Sequence, residues 1–379
     1  MATTTTQDEI TFVGIKQQKE RLRADIERRL GKVLDHGAFI GGPEIAELEA
    51  ALKARTGAAA VIACASGTDA IIIPLMAEKL TREDAVFLPA FTYNATANSV
   101  LIAGATPVFV DVDRNTFNMD VRDLEARIDS VKAEGHLRPR AVIAVDLYGL
   151  PADYAALGKL CAKHDLLLIS DAAQSFGGGI GNARVGALAP ITTTSFFPTK
   201  TLGGYGDGGA IFAMDEARAT VWEEIRWHGT EAKMRKESVR VGMNGRIDSF
   251  QCAVLLSKLE VFDEEWDRRE AFGQLYRERL LGRVHMHADQ PRVKHAWGLF
   301  TVALPNRDRV REALAKKGIP TAIYYSMPLH QHAAFKPYAP AGGMPVSERL
   351  ANEVASLPFH PYMSEAQVHR VCDALLDLL

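Results

Sequence analysis

From about residue 58 the chain alternates short, β-rich apolar runs with helix-length segments, and few architectures accept that rhythm. The runs are 61–65, 85–88, 106–112, 141–147 and 166–170, and two more β-like runs follow at 192–197 and 209–214. Strands separated by a helix's worth of chain need crossover connections, which produce a largely parallel sheet covered on both faces. In such sheets ligands bind outside the carboxyl ends of the strands. The residues that follow each run therefore matter most: Ser66-Gly67-Thr68, Phe91-Thr92-Tyr93, Asp171-Ala172-Ala173-Gln174 and Pro198-Thr199-Lys200. The reading is α/β, a large domain with a mostly parallel seven-stranded sheet plus a smaller C-terminal α+β domain.

The flanks complete this plan. Residues 16–36 read as an amphipathic helix with Leu22, Ile26, Leu30 and Val33 on one face. A second helix starts at Pro43, where proline's missing N–H costs nothing, and ends at Gly57. Beyond about residue 255 come a helix over 261–281, strands over 299–304 and around 321–325, a helix over 309–317, and a last helix opened by Ser364 and Gln367 in capping-box spacing. The expected division is 1–57 as an N-terminal helical segment, 58–255 as the large domain and 256–379 as the small one.

Composition excludes several classes. With 44 Lys+Arg against 47 Asp+Glu the formal charge is −3, so no basic excess argues for nucleic-acid binding. No apolar run approaches the ~20 residues that span a bilayer, and the Thr-rich start has no leader pattern, so the expectation is a cytoplasmic protein without membrane attachment. Cys64, Cys161, Cys252 and Cys372 form no C-x-x-C pair, which signals no metal site and reads as buried, reduced thiols.

The chemistry gathers at Lys200, between a strand-like run and the glycine-rich stretch 202–209. A lysine in a loop is ordinarily solvated; one at the rim of a parallel sheet, partly desolvated, is the kind that gives up its proton and forms a Schiff base. A P-loop is excluded, because the lysine precedes the glycines. Asp171 ends the apolar run before it; it reads either as a helix N-cap or as the partner of a buried cation, such as a pyridinium nitrogen. Ser66-Gly67-Thr68 opens a helix whose N-terminus can hold a phosphate. Tyr93 can stack on a planar ring. Together these groups describe a site for pyridoxal 5′-phosphate.

At this point the chain resembles the DegT/DnrJ/EryC1/StrS family of nucleotide-sugar aminotransferases, which share the fold-type I architecture. The resemblance rests on Phe39-Ile40-Gly41-Gly42-Pro43-Glu44, Ala65-Ser66-Gly67-Thr68-Asp69-Ala70, Pro89-Ala90-Phe91-Thr92-Tyr93, Asp171-Ala172-Ala173-Gln174-Ser175, Ser195-Phe196-Phe197-Pro198-Thr199-Lys200, Gly206-Asp207-Gly208-Gly209 and Gly242-Met243-Asn244-Gly245-Arg246. It implies that Lys200 is the catalytic lysine that carries the cofactor, Asp171 pairs with the ring nitrogen and Gln174 lies by the ring. Tyr93 would stack on it, and Gly67, Thr68 and Ser195 would hold the phosphate. Asn244 would reach the phosphate of a second subunit, so the active sites belong to a homodimer.

The reaction implied is transfer of an amino group from L-glutamate, leaving 2-oxoglutarate, to a nucleotide-linked keto sugar. The pattern is closest to members that act on C3 of UDP-2-acetamido-2-deoxy-3-keto-glucuronic acid for surface polysaccharides such as O-antigen. Members acting on C3 or C4 of dTDP-, UDP- or GDP-linked 6-deoxy-keto sugars are the alternative. Arg246 suits a sugar carboxylate or pyrophosphate, or else a salt bridge to Asp248. Tyr324, Tyr325 and His330 match a substrate-side segment that commonly reads His-Tyr-Pro-x-Pro-Leu-His, with Tyr324 and Ser326 departing from it. From other classes, a catalytically idle regulatory member conflicts with the intact motifs, and a cysteine desulfurase conflicts with the cysteine positions.

Overall fold

The computed structural model describes residues 9–231 and 236–379; most of the Thr-rich start lies outside them. Two helices lead in, α1 (Ile15–His36) and α2 (Pro43–Thr56). Then come β1 (Ala60–Cys64), α3 (Gly67–Ala77), β2 (Asp84–Pro89), α4 (Asn94–Ile102), β3 (Thr106–Val110), α5 (Val121–Glu134) and β4 (Arg138–Val145). They are followed by α6 (Tyr154–His164), β5 (Leu167–Asp171), a hairpin of β6 (Gly179–Ile180) and β7 (Ala183–Arg184), β8 (Ile191–Ser195), β9 (Gly209–Ala213), α7 (Ala217–Arg226) and α8 (Ser249–Leu259). The remainder holds α9 (Phe262–Leu280), β10 (His285–Met286), β11 (Val293–Lys294), β12 (Phe300–Ala303), α10 (Arg307–Lys316), α11 (Pro345–Glu353), β13 (Val354–Leu357) and α12 (Glu365–Leu376).

Seven strands form the main sheet in the order β1-β9-β8-β5-β4-β2-β3. All run parallel except β9, which is antiparallel to both β1 and β8. Most of the buried strand positions are apolar because both faces are covered; β8 is the exception, with Thr192, Thr193 and Thr194 buried in it. In β2, Val86 and Leu88 face the core under α3, α4 and α7, whereas Ala85 and Phe87 face the one under α5 and α6. In β9, Ala210 and Phe212 pack instead with Leu48 and Leu52 of α2 and Leu255 of α8. Each fully buried side chain of this size contributes roughly 1.5–3 kcal/mol relative to exposure.

This topology makes one rim. The carboxyl ends of β1, β2, β5 and β8 point the same way, and the reversed β9 starts on that same edge, with Gly209 opposite both Cys64 and Ser195. The loop from Phe196 to Gly208, which carries Lys200, must therefore leave and return at this rim.

In the C-terminal part, β10, β12 and β13 form an antiparallel sheet. Tyr276 of α9 stacks on Phe300 at 4.7 Å, and Leu314 of α10 and Val368, Val371 and Leu375 of α12 close the core. Ile10 joins that core from the other end of the chain. The capping box at Ser364 and Gln367 forms as its spacing predicts. The strand expected around 321–325 does not: a single bridge, Ala322 to Ser356, is all that pairs there. The sheet edge is taken instead by β13, which no β-like run in the sequence marks; the small sheet β11-β6-β7 is equally unmarked.

Candidate active site

A cavity of about 420 Å³ opens at the rim, and Thr68, Tyr93, Asp171, Gln174, Ser195, Lys200, Tyr324 and Tyr325 all line it with Gly67. Gly67 and Thr68 open α3, Asp171 and Ser195 end β5 and β8, and Lys200, Tyr324 and Tyr325 come from loops. Ser66 caps α3, its hydroxyl accepting from Asp69 N at 3.0 Å, so the first N–H groups of the helix remain without intrahelical partners. Gly67 is required for closeness: a Cβ there would stand 2.6 Å from Ser195 Cβ. The helix terminus and the Ser195 hydroxyl thus form one cradle of N–H and O–H donors, which suits a phosphate.

Asp171 ends β5, 6% exposed. It does not cap a helix, because turns follow it. Its carboxylate accepts from Thr96 Oγ1 at 3.1 Å and Ala173 N at 3.2 Å. Burial raises its pKa, while the Ala173 N–H, the charge of Lys200 and the Thr96 hydroxyl pull it back. Burial lowers the pKa of Lys200, opposed by Asp171. No cation is in salt-bridge contact with Asp171 among the described residues, so the buried carboxylate is suited to a cationic group entering the cavity.

Gln174 is held at both ends of its amide: Oε1 accepts from Tyr148 N at 2.7 Å, and Nε2 donates to the Tyr325 hydroxyl at 3.3 Å. Tyr93 is 57% exposed, an aromatic face turned to the open cavity, with its ring 6.1 Å from that of Tyr325. The Tyr325 hydroxyl is pushed up in pKa by burial and stays a neutral donor.

Three expected residues lie elsewhere. His330 is not among the residues that line the cavity: it is 4% exposed and its Nε2 pairs with Glu348 at 2.9 Å. Asn244 and Arg246 sit outside this chain's cavity. Arg246 donates Nε to Asn244 Oδ1 at 2.8 Å and lies over the Trp227 ring at 4.6 Å. The alternative bridge to Asp248 does not form, since that carboxylate caps α8 through Gln251 N. Conversely, Phe12, Gly14 and Gln18 from the N-terminal segment, and Arg269 of α9, line the cavity with no motif to announce them. Among the described residues no cluster of three or more His, Cys, Asp or Glu is placed to hold a metal, and no helix is long and apolar enough to cross a membrane.

A ring with an aldehyde, a protonatable nitrogen and a phosphate matches this donor set: an amine, a buried carboxylate and a helix-terminus cradle on one cavity. Comparison with known proteins points the same way. A profile of the DegT/DnrJ/EryC1/StrS aminotransferase family matches residues 20–376. The UDP-2-acetamido-2-deoxy-3-oxo-D-glucuronate aminotransferase of Pseudomonas aeruginosa is 40% identical over 370 residues, 97% of this chain and 100% of that one. The crystal structure of a DegT DnrJ EryC1 StrS aminotransferase from Brucella abortus superposes with a TM-score of 0.95 at 40% identity, over 97% of this chain and 99% of that chain. NtdA of Bacillus subtilis, solved with bound cofactor PMP, superposes at 0.89 with 27% identity, over 100% of this chain and 86% of that chain.

Proposed function

The chain belongs to the DegT/DnrJ/EryC1/StrS aminotransferase family, and from that premise we propose that it moves an amino group from L-glutamate to C3 of UDP-2-acetamido-2-deoxy-3-keto-glucuronic acid. One observation carries the chemistry: Lys200, Asp171 and the α3 terminus face a single cavity. The sugar is supported by the name and 40% identity of the Pseudomonas aeruginosa relative.

Pyridoxal phosphate, the cofactor, supplies an electron-accepting ring that stabilises charge at the carbon losing its proton. The protein's own groups do the rest. The α3 N–H groups, Thr68 and Ser195 would hold the phosphate, and Asp171 would keep a proton on the ring nitrogen, because an adjacent carboxylate favours the charged form. Tyr93 would offer its aromatic face to the ring, and Gln174, fixed by Tyr148 and Tyr325, would offer its amide to it. Burial lowers the pKa of Lys200, so that its Nζ can take the proton from the donor's α-carbon and later deliver one to the sugar carbon. Glutamate leaves as 2-oxoglutarate, and the keto sugar becomes an amino sugar.

We place Asn244 and Arg246 toward a second subunit's cavity in a homodimer. They project beside Trp227, outside their own chain's pocket, with Asn244 exposed and the Arg246 guanidinium held on a ring face. The test is purified, cofactor-loaded protein given glutamate and a panel of keto nucleotide sugars, with 2-oxoglutarate followed. Turnover of the 3-keto uronate above the 6-deoxy sugars supports the assignment, and preference for a 6-deoxy sugar overturns it.

A further inference from the structure

One charged group on the cavity wall takes no part in the chemistry above. Arg269 projects from α9 into the cavity, where it lines the side built by Phe12, Gly14 and Tyr362. Among the described residues its one hydrogen bond runs from an Nη to the Trp297 carbonyl oxygen at 3.3 Å, long for a guanidinium with five donors. Among the described residues no carboxylate forms a salt bridge with it. Glu265, whose charge acts on it, is engaged elsewhere: it accepts from Gln18 Nε2 at 3.0 and 2.8 Å and from the Tyr362 hydroxyl. Burial pushes the Arg269 guanidinium down to about 10, with Glu265 and Tyr362 pulling the other way, so it is fully charged at neutral pH. His360 beside it is held neutral, pushed down to about 4 by burial and by Arg269 itself.

A half-buried guanidinium that faces a cavity with most of its donors unused by the protein can complete them on a ligand. Its planar fork matches two carboxylate oxygens. We propose that Arg269 is the receptor for a substrate carboxylate in this cavity. The inference rests on the proposed aminotransferase reaction, which brings two carboxylate sources to the cavity in turn: the dicarboxylate amino donor, and the C6 carboxylate of a hexuronate. A single guanidinium on the shared wall can orient either without touching Lys200 or Asp171.

Binding rather than turnover tests this, so that it stands or falls separately from the aminotransferase assignment. Cofactor-loaded wild type and Arg269→Gln are titrated calorimetrically with glutarate and its uncharged diamide, then with UDP-glucuronate and UDP-glucose, which differ in the C6 carboxylate. An unchanged visible cofactor spectrum in the variant shows that the site is intact. Loss of one charge-assisted fork should weaken the acid about 10- to 100-fold and leave its neutral counterpart unchanged. Arg269→Lys should recover part of the loss.

Selective loss for glutarate assigns the donor as the source, and selective loss for UDP-glucuronate assigns the sugar. Loss for both gives Arg269 to both half-reactions. Unchanged affinity for both acids, or equal weakening of acids and neutral partners, overturns the proposal. Absence of turnover with every keto sugar, with these selective losses intact, would refute the sugar reaction and leave the carboxylate site standing.

Discussion

Substituting Gly67 by alanine tests how the phosphate cradle is built, because its sign is opposite to the ordinary one. Alanine in a helix normally stabilises by about 0.4–1 kcal/mol over glycine, through the unfolded chain's lost freedom. Gly31, inside α1 with no atom within 4 Å of where an added methyl would stand, supplies that baseline. At Gly67 the new Cβ would meet Ser195 Cβ at 2.6 Å, Oγ at 3.0 Å and Cα at 3.1 Å. Ordinary contact begins at 3.4 Å, so α3 and the end of β8 must part by about 0.8 Å. Backbone is involved, and side-chain rotation cannot relieve it. Overpacking of this kind costs about 1–3 kcal/mol. The net expectation is a loss of about 1–2 kcal/mol for Gly67→Ala against a gain for Gly31→Ala. Because the two halves of the cradle separate, cofactor affinity should also fall about tenfold or more, since hydrogen bonds to a charged group are each worth about 1.5–3 kcal/mol. Urea unfolding of the apoprotein measures the first quantity, and titration of apoprotein with pyridoxal phosphate by visible absorbance measures the second. A Gly67→Ala protein as stable as Gly31→Ala, with unchanged cofactor affinity, would refute the reasoning.

Three further expectations are simpler. Lys200→Ala should remove the visible absorbance of the cofactor-loaded protein and its turnover together; retention of either contradicts the role given to its amine. Asp146 is buried behind β5, accepting from Ser175, Tyr154 and Ala152, and burial raises it to about 7. The folded protein therefore keeps a proton that the unfolded chain releases near pH ~4. Stability falls as pH rises from about 4 to 7, by up to roughly 1.4 kcal/mol per pH unit from this group. Asp146→Asn should flatten that slope in urea unfolding across the same pH range, and an unaltered slope would count against it. All four cysteines are buried, with burial raising every thiol, Cys161 to about 11 and Cys372 to about 12. A colorimetric thiol reagent should find no reactive group in the native protein and all four after denaturation; rapid native labelling would contradict this.

Much of this site is legible in the sequence because it lies at strand ends. Most of the buried parallel strands read as apolar runs, so the polar residues that follow them, Asp171 after 166–170 or Ser66 after 61–65, are marked by contrast. The covalent order also places Lys200 on the rim, since β9 must start where β8 stops. What periodicity does not carry is which distant surface meets that rim. Arg269 sits on a helix whose apolar stripe gives no sign that the neighbouring charged face closes a cavity. Phe12 and Gly14 reach it through a segment with no secondary-structure pattern. His330 shows the converse. Its motif neighbours Tyr324 and Tyr325 line the cavity, but a turn of chain later Glu348 captures the imidazole. The unmarked β13 is four residues long and preceded by a nine-residue helix, too short for either period to register.

At the centre stands the assignment of Lys200, Asp171 and the α3 cradle to amino transfer onto a nucleotide-linked 3-keto uronate. Its most direct measurement is the stoichiometry of 2-oxoglutarate and amino sugar formed from glutamate and UDP-2-acetamido-2-deoxy-3-keto-glucuronic acid, in wild type and Lys200→Ala. Equal amounts of the two products are expected from the wild type and none from the variant. No product from any keto nucleotide sugar, together with turnover of a simple amino acid and oxo-acid pair, would contradict it.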